Sequence, residues 1–291
     1  MNNVTNKSNL ATADVSNPFF SDDQRRAYSE DGYVVVPSLF DTQEAEKFAQ
    51  WAQDIHEWPD VAGKYMKYYE KNATKEDQPL TRRAENFFPY QPEIAEIALS
   101  RRIGGAVAEL LEESVYLFKD MLIYKYPGGD GYRYHQDHRA GWSQYADEMI
   151  RVGIAIDAAD EENGCLQVTP GRHREGLFGE EWAMIPDKIA EEMDIHYCPM
   201  KPGDVVFFNS FTPHGSGPNR SNRTRRVMHL AFNRESDGDN REQHFRQKRA
   251  EFPPDFEREP GKVYLSGSER RGLIGMGGED LDSSDNSVLR A

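Results

Sequence analysis

Residues Tyr134-His135-Gln136-Asp137 carry the first chemical signal, because they fall in a stretch that predicts a strand. Side chains alternate between the faces of a strand, so His135 and Asp137 point the same way and can reach one metal ion. Alone, a His-x-Asp triplet usually belongs to a surface turn. A third ligand is offered by His214, which follows the apolar stretch Val205-Val206-Phe207-Phe208-Asn209 in a Pro213-His214-Gly215-Ser216-Gly217 turn. Two histidines and one carboxylate on one side of a metal form the facial triad of non-heme Fe(II) oxygenases, with coordination positions left open. That requires Asp137 and His214 to converge across 77 residues. Arg223, Arg225 and Arg226 then lead into another apolar run ending at Phe232. A diacid that chelates such an iron at one end leaves its far carboxylate to be met by an arginine fork. Parity alone leaves open whether Arg225 or Arg226 faces inward.

The elements that must position these groups change character once along the chain. Helical spacing is visible over residues 43–56, with Asp41 as N-cap, and over 92–112; a short strand is expected over 32–37. From residue 115 the pattern becomes short strands separated by Gly, Pro and Asn turns: 115–126, 132–137, 151–157, 165–169, 195–198, 205–209 and 226–232. Many short strands argue for a sandwich or barrel, with the helices packed outside one sheet. We expect a mobile arm over residues 1–20, a single domain over 21–265 and a Gly-rich, acidic tail over 266–291.

The 291 residues carry 50 Asp+Glu against 35 Lys+Arg, a net charge of −15, which disfavours binding to nucleic acid or anionic membranes. There is no apolar run of membrane-spanning length and no secretory leader pattern. Two cysteines, Cys165 and Cys198, make neither a thiolate metal motif nor a disulfide framework, so a cytoplasmic setting is expected. Oligomeric state is not legible.

The stretch from Met121 to Phe232 resembles the phytanoyl-CoA dioxygenase (PhyH) family of Fe(II)/2-oxoglutarate oxygenases. The resemblance rests on Met121-Leu122-Ile123-Tyr124-Lys125-Tyr126-Pro127-Gly128, His135-Gln136-Asp137, Asn163-Gly164-Cys165-Leu166, Pro170-Gly171-Arg172-His173, Gly203-Asp204-Val205-Val206-Phe207-Phe208 and His214-Gly215-Ser216-Gly217-Pro218-Asn219. Asp31-Gly32-Tyr33-Val34-Val35-Val36-Pro37 resembles the family's opening strand. It implies a double-stranded β-helix, or jelly roll, with Fe(II) held by His135, Asp137 and His214. It also implies that Arg225 and Ser216 meet the distal carboxylate of 2-oxoglutarate, with Met121 and Gln136 lining the co-substrate. Some members carry Trp where this chain has Gly153, which suggests a wider cavity there. Related halogenases replace the carboxylate with Gly or Ala, so Asp137 favours hydroxylation by O₂, with desaturation or ring formation also compatible.

For the substrate, a small polar molecule, the wall candidates are Lys119, Arg133, His138 and Trp142; basic residues there would suit an anionic headgroup. The Lys- and Tyr-rich run within 63–70, and Phe118-Lys119-Asp120 followed by the Tyr126-Pro127-Gly128-Gly129 turn, resemble the branch acting on zwitterions such as aminoalkylphosphonates, and the Arg82-Arg83 pair is a further place to look for the substrate. Their plain alternative is a solvated, aromatic-packed face. His138 reads more readily as a surface histidine than as a substrate contact, His173 as structural and His229 as a core histidine. Other functional classes are a cupin-like metal-binding or sensor module, an acyl-CoA hydroxylase, and a metal isomerase or hydrolase for which Arg225 and Ser216 would have no purpose.

Overall fold

A computed structural model of the chain describes residues 9–14, 16–70 and 79–264. The strands are β1 (Leu10–Ala11), β2 (Tyr33–Val36), β3 (Met66–Glu70), β4 (Leu80–Glu85), β5 (Val115–Lys125) and β6 (Tyr132–His135), then β7 (Met149–Ala155), β8 (Leu166–Val168), β9 (His196–Cys198), β10 (Val205–Asn209), β11 (His214–Ser216) and β12 (Arg225–Arg234). The helices are α1 (Asp22–Asp31), α2 (Thr42–Glu57), α3 (Pro92–Ala98), α4 (Ala106–Leu111), α5 (Asp187–Glu191) and α6 (Arg241–Glu251). An eight-stranded sheet runs β2-β10-β7-β12-β5-β4-β3 with β1 on β5, and a four-stranded sheet runs β6-β11-β8-β9. Two antiparallel sheets with these crossovers make the expected jelly roll.

Period-two alternation divides the large sheet into an outer and an inner face. Outward-pointing Leu122, Tyr124, Val152, Ile154, Phe207 and Leu230 form one core with Phe48, Ala52 and Ile55 of α2 and Ile94 and Ala98 of α3. Apolar residues at helical spacing thus cover the outer face, as expected. Helix α2 starts as its sequence predicts, with an Asp41 and Glu44 capping box. The inward-pointing residues of the same strands face the small sheet, and the chemistry lies between the two sheets.

Four expectations need correction. Residues 1–20 are not a free arm throughout: Leu10 and Ala11 pair with Tyr116 and Val115, and Ala11 and Phe20 are buried. The single helix over 92–112 is broken, because Ser100 is extended (φ −66, ψ 162) and a π turn over Arg101–Gly105 precedes α4. Gly104 explains part of the break, since a Cβ there would lie 2.4 Å from that of Ala11. The strand expected over 132–137 ends at His135. Residues 63–70 are not an open substrate face: Met66–Glu70 is β3, where Tyr68 stacks on Phe252 with centroids 5.6 Å apart. Residues 1–8 and the tail over 266–291 lie outside the described residues. Among the described residues no helix is long and apolar enough to cross a membrane.

Candidate active site

Antiparallel pairing of β6 with β11 sets His135 opposite His214, with ring centroids 4.2 Å apart. Gln136 stays extended (φ −119, ψ 130), so the alternation lasts one residue past the strand and Asp137, first in a 3₁₀ turn, returns to the same side. His135 Nε2 and His214 Nε2 each lie 3.8 Å from an Asp137 carboxylate oxygen. The Nδ1 of His135 donates to the Arg133 carbonyl at 2.7 Å, and that of His214 donates to the Thr212 carbonyl at 2.9 Å. A carbonyl only accepts, so both Nδ1 atoms carry hydrogen and both Nε2 lone pairs are directed at the shared space. Burial, then the neighbouring His214, pushes the His135 pKa down to about 3. Burial opposes ionisation of Asp137, but Arg151 and the two imidazoles overcome it and hold the carboxyl well below its ordinary range. Two neutral imidazole nitrogens and a carboxylate, with one face open, fit a non-heme iron ion.

The three side chains overhang a cavity of about 120 Å³ whose floor is the inner face of the large sheet. Register places His229, Met121 and Gly153 side by side at the middle of that floor. At one end Arg225 pairs with Lys125 across β12 and β5; at the other, Ala231 lies between Lys119 and Arg151. Lys119 and Lys125 stand six residues apart on β5, so the two ends are separated by roughly 20 Å of backbone.

Arg225 is 7 % exposed, its Nη2 donates to the Gly164 carbonyl at 2.8 Å, and its Nε has no hydrogen-bond partner among the described residues. Arg226 is instead tied to Asp157 through Nε and Nη2, both at 2.8 Å, which resolves the parity question in favour of Arg225 as the inward residue. At the opposite end Glu85, fully buried, is surrounded by Lys248 Nζ at 2.5 Å, Arg83 Nε at 3.0 Å and Lys119 Nζ at 3.6 Å. Burial works against the Glu85 charge, yet Lys119, Lys248 and Arg83 hold its carboxyl well below the ordinary range. Burial also pulls the Lys119 and Lys248 pKa values down. Three basic side chains around one carboxylate make this end of the cavity suited to an anion.

Of the residues singled out from sequence, His135, Asp137, His214, Arg225, Ser216, Met121, Lys119 and Trp142 line this cavity. Gln136 does not reach it: its amide donates to the Gly176 and Phe211 carbonyls and accepts from Phe178 N, so it ties loops together. Arg133 is half-exposed and paired with Asp187 at 2.7 Å, outside the cavity. His138 is neither on the surface nor at the wall, being buried and stacked on Phe211 with centroids 4.1 Å apart. The space expected at Gly153 is filled, since a Cβ there would lie 3.4 Å from the His229 ring and 3.0 Å from Val206 Cγ1. His229 is therefore a cavity residue rather than a core one. Arg151, Glu85 and Lys248 were missed. A lone Arg inside the apolar run Met149-Ile150-Arg151-Val152-Gly153-Ile154-Ala155 was a usable signal for the first; α6, which carries Lys248, has a polar sequence with none.

The family model for phytanoyl-CoA dioxygenase (PhyH) matches residues 28–227. The chain is 37 % identical over 249 residues to a 2-aminoethylphosphonate dioxygenase of uncultured bacterium HF130_AEPn_1, covering 85 % of this chain and 95 % of the relative. It is 33 % identical to a methylphosphonate hydroxylase of Gimesia maris, covering 81 % and 89 % respectively. Its fold is similar to that of EctD from S. alaskensis solved with 2-oxoglutarate and 5-hydroxyectoine, with a TM-score of 0.65 at 21 % identity over 79 % of this chain and 82 % of that one. A jelly roll with a buried His-Asp-His cluster, and relatives of this kind over most of its length, place the chain in the phytanoyl-CoA dioxygenase family as an Fe(II)- and 2-oxoglutarate-dependent dioxygenase.

Proposed function

We propose that the protein hydroxylates an aliphatic C–H bond of a small phosphonate, with its anionic headgroup bound at the Lys119 end of the cavity. The observation that carries this reading is the gathering of basic side chains at opposite ends of one sheet face, with His135, Asp137 and His214 overhanging the space between them. In this reading His135, Asp137 and His214 hold Fe(II), and Arg225 with Ser216 receives the distal carboxylate of 2-oxoglutarate, beside Met121. When bound, iron with 2-oxoglutarate and O₂ supplies the oxidising power that converts C–H to C–OH, with succinate and CO₂ as co-products.

The chain's own residues then have three tasks. Arg225, charged at any working pH, fixes one end of the co-substrate. Lys119, Arg83 and Lys248 take the substrate's oxyanion, and so determine which carbon lies beneath the triad. Trp142 and Met121 supply apolar wall, which excludes water from the reacting bond. The names of the two relatives, one acting on 2-aminoethylphosphonate and one on methylphosphonate, support a phosphonate headgroup. Free, buried Cys165 and Cys198 support a reducing compartment.

The test is succinate formation by the Fe(II)-loaded protein with methylphosphonate, 2-aminoethylphosphonate, amino acids, ectoine and an acyl-CoA thioester. Stimulation by phosphonates is expected, together with a weak visible absorbance band on anaerobic addition of Fe(II) and 2-oxoglutarate that His135→Ala removes. Stimulation by acyl-CoA alone would overturn the substrate reading, and metal binding without succinate formation would favour a sensor module.

A further inference from the structure

Behind the co-substrate end of the cavity lies a second basic side chain. Lys125, 3 % exposed, is the register partner of Arg225 and lies behind Ser216. Its Nζ lies 2.6 Å from the Gly217 carbonyl, 2.8 Å from Ser216 Oγ and 3.3 Å from the Gly164 carbonyl. The two carbonyls can only accept, so they claim two hydrogens of the amine in either protonation state. What Ser216 does depends on the remaining position of the nitrogen.

As an ammonium, Lys125 donates its third hydrogen to Ser216 Oγ, which also lies 3.4 Å from the Tyr132 amide N. With donors on that side, the Ser216 hydrogen must point elsewhere, toward the cavity that Ser216 lines. As a neutral amine, Lys125 offers a lone pair instead. Ser216 then turns its hydrogen back to Lys125 and presents only lone pairs to an incoming carboxylate. We propose that Lys125 is a proton-linked positioning residue for 2-oxoglutarate: its ammonium holds the Ser216 hydroxyl as a donor to the distal carboxylate, and co-substrate binding draws onto Lys125, from solvent, the proton it lacks in the free enzyme.

The groups around Lys125 favour that behaviour. Arg225 faces it from β12, Arg82 from β4, Cys165 from the segment entering β8, and Asp130 and the Tyr132 ring from the segment forming β6. Burial, then Arg225, brings its pKa down to about 6, against weaker opposite pulls from Cys165 and Asp130. A carboxylate bound by Arg225 cancels the charge that repels the ammonium, so the Lys125 pKa rises on binding. A group whose pKa rises on binding favours the complex at low pH, and the advantage is lost as pH increases.

The inference rests on Arg225 as the carboxylate site, and the experiment separates the two. The protein loaded with Mn(II), which does not turn over, is titrated calorimetrically with 2-oxoglutarate at pH 6 to 9 in buffers of different ionisation enthalpy. Wild type should take up close to one proton at pH 7.5, and its Kd should weaken by up to about tenfold per pH unit above about 6. Lys125→Met should bind more weakly with no uptake and a flat pH profile, and Ser216→Ala combined with it should lose no more than Lys125→Met alone. Should Lys125→Met not fold, Lys125→Arg keeps the charge at every pH and should also show no uptake. No uptake by wild type with a pH-independent Kd, or additive losses in the double variant, would overturn the proposal. Arg225→Ala binding as tightly as wild type would instead overturn the reading beneath it.

Discussion

Lys119→Met separates an anion-binding wall from a structural ion cluster, because the two roles predict opposite patterns. Lys119 Nζ stands 3.6 Å from Glu85, whose carboxylate keeps Lys248 at 2.5 Å and Arg83 at 3.0 Å after the substitution. Glu85 is therefore not orphaned, and Lys248, whose pKa is pulled down first by burial and further by Lys119, loses one repelling neighbour. Stability should change by less than about 1 kcal/mol, against the roughly 3–5 kcal/mol lost when a buried pair is truly broken. Binding behaves differently, since a hydrogen bond to a charged group contributes roughly 1.5–3 kcal/mol. That corresponds to a roughly ten- to hundredfold fall in kcat/KM for a phosphonate, with the KM for 2-oxoglutarate unchanged because that co-substrate lies at the other end. The assay is succinate formation against phosphonate concentration, paired with thermal melts with and without the phosphonate; ligand should raise the wild-type Tm and leave the variant's nearly unmoved. A variant with unchanged phosphonate KM and a stability loss of several kcal/mol would refute the reasoning and make the cluster structural.

Glu85→Gln removes the carboxylate amid three cations and should cost about 3–5 kcal/mol at neutral pH. The folded-state pKa of Glu85 is depressed, so its contribution is present above the unfolded value of about 4.3 and is lost as pH falls toward the folded one; the difference in melting temperature between the two proteins should begin to narrow only below about pH 4 and shrink steadily as the pH falls further. Gly164→Ala should destabilise by at least about 1–3 kcal/mol, because Gly164 has φ +72 and a Cβ would lie 2.1 Å from the Gly217 oxygen and 2.9 Å from Lys125 Nζ; an unchanged melting temperature would contradict that packing. Ala11→Asp should cost about 2 kcal/mol or more in denaturant unfolding by burying a carboxylate against Gly104, whereas a truly mobile arm would tolerate it.

The metal ligands were legible because each is announced locally: His135 and Asp137 by spacing on a strand, His214 by a turn after the apolar β10. The same local logic failed one residue on, where the strand stops and His138 turns into the core against Phe211. Gln136, which only the family resemblance set against the co-substrate, sits between two ligands, and alternation sends it to the opposite side, where backbone groups consume its amide. The break in the 92–112 helix had a sequence mark in Gly104-Gly105, which acquires meaning only when the N-terminal Ala11 is known to pack there.

The cationic wall was harder to read for a physical reason. Arg83, Lys119, Arg151 and Lys248 come from β4, β5, β7 and α6, one group from each element. No spacing rule joins them, since their proximity is created by strand order and register, which are set by the whole sheet. What alternation does supply is the consequence once one strand is placed. On β5 the inward series Lys119, Met121, Ile123, Lys125 begins and ends with lysine around two apolar residues, so this strand alone prescribes a floor with anion-seeking ends and an apolar middle. Under the proposed function, a co-substrate with a distal carboxylate and a substrate with an oxyanion would complement that floor, each drawn to its own end, with the bond to be oxidised beneath His135, Asp137 and His214.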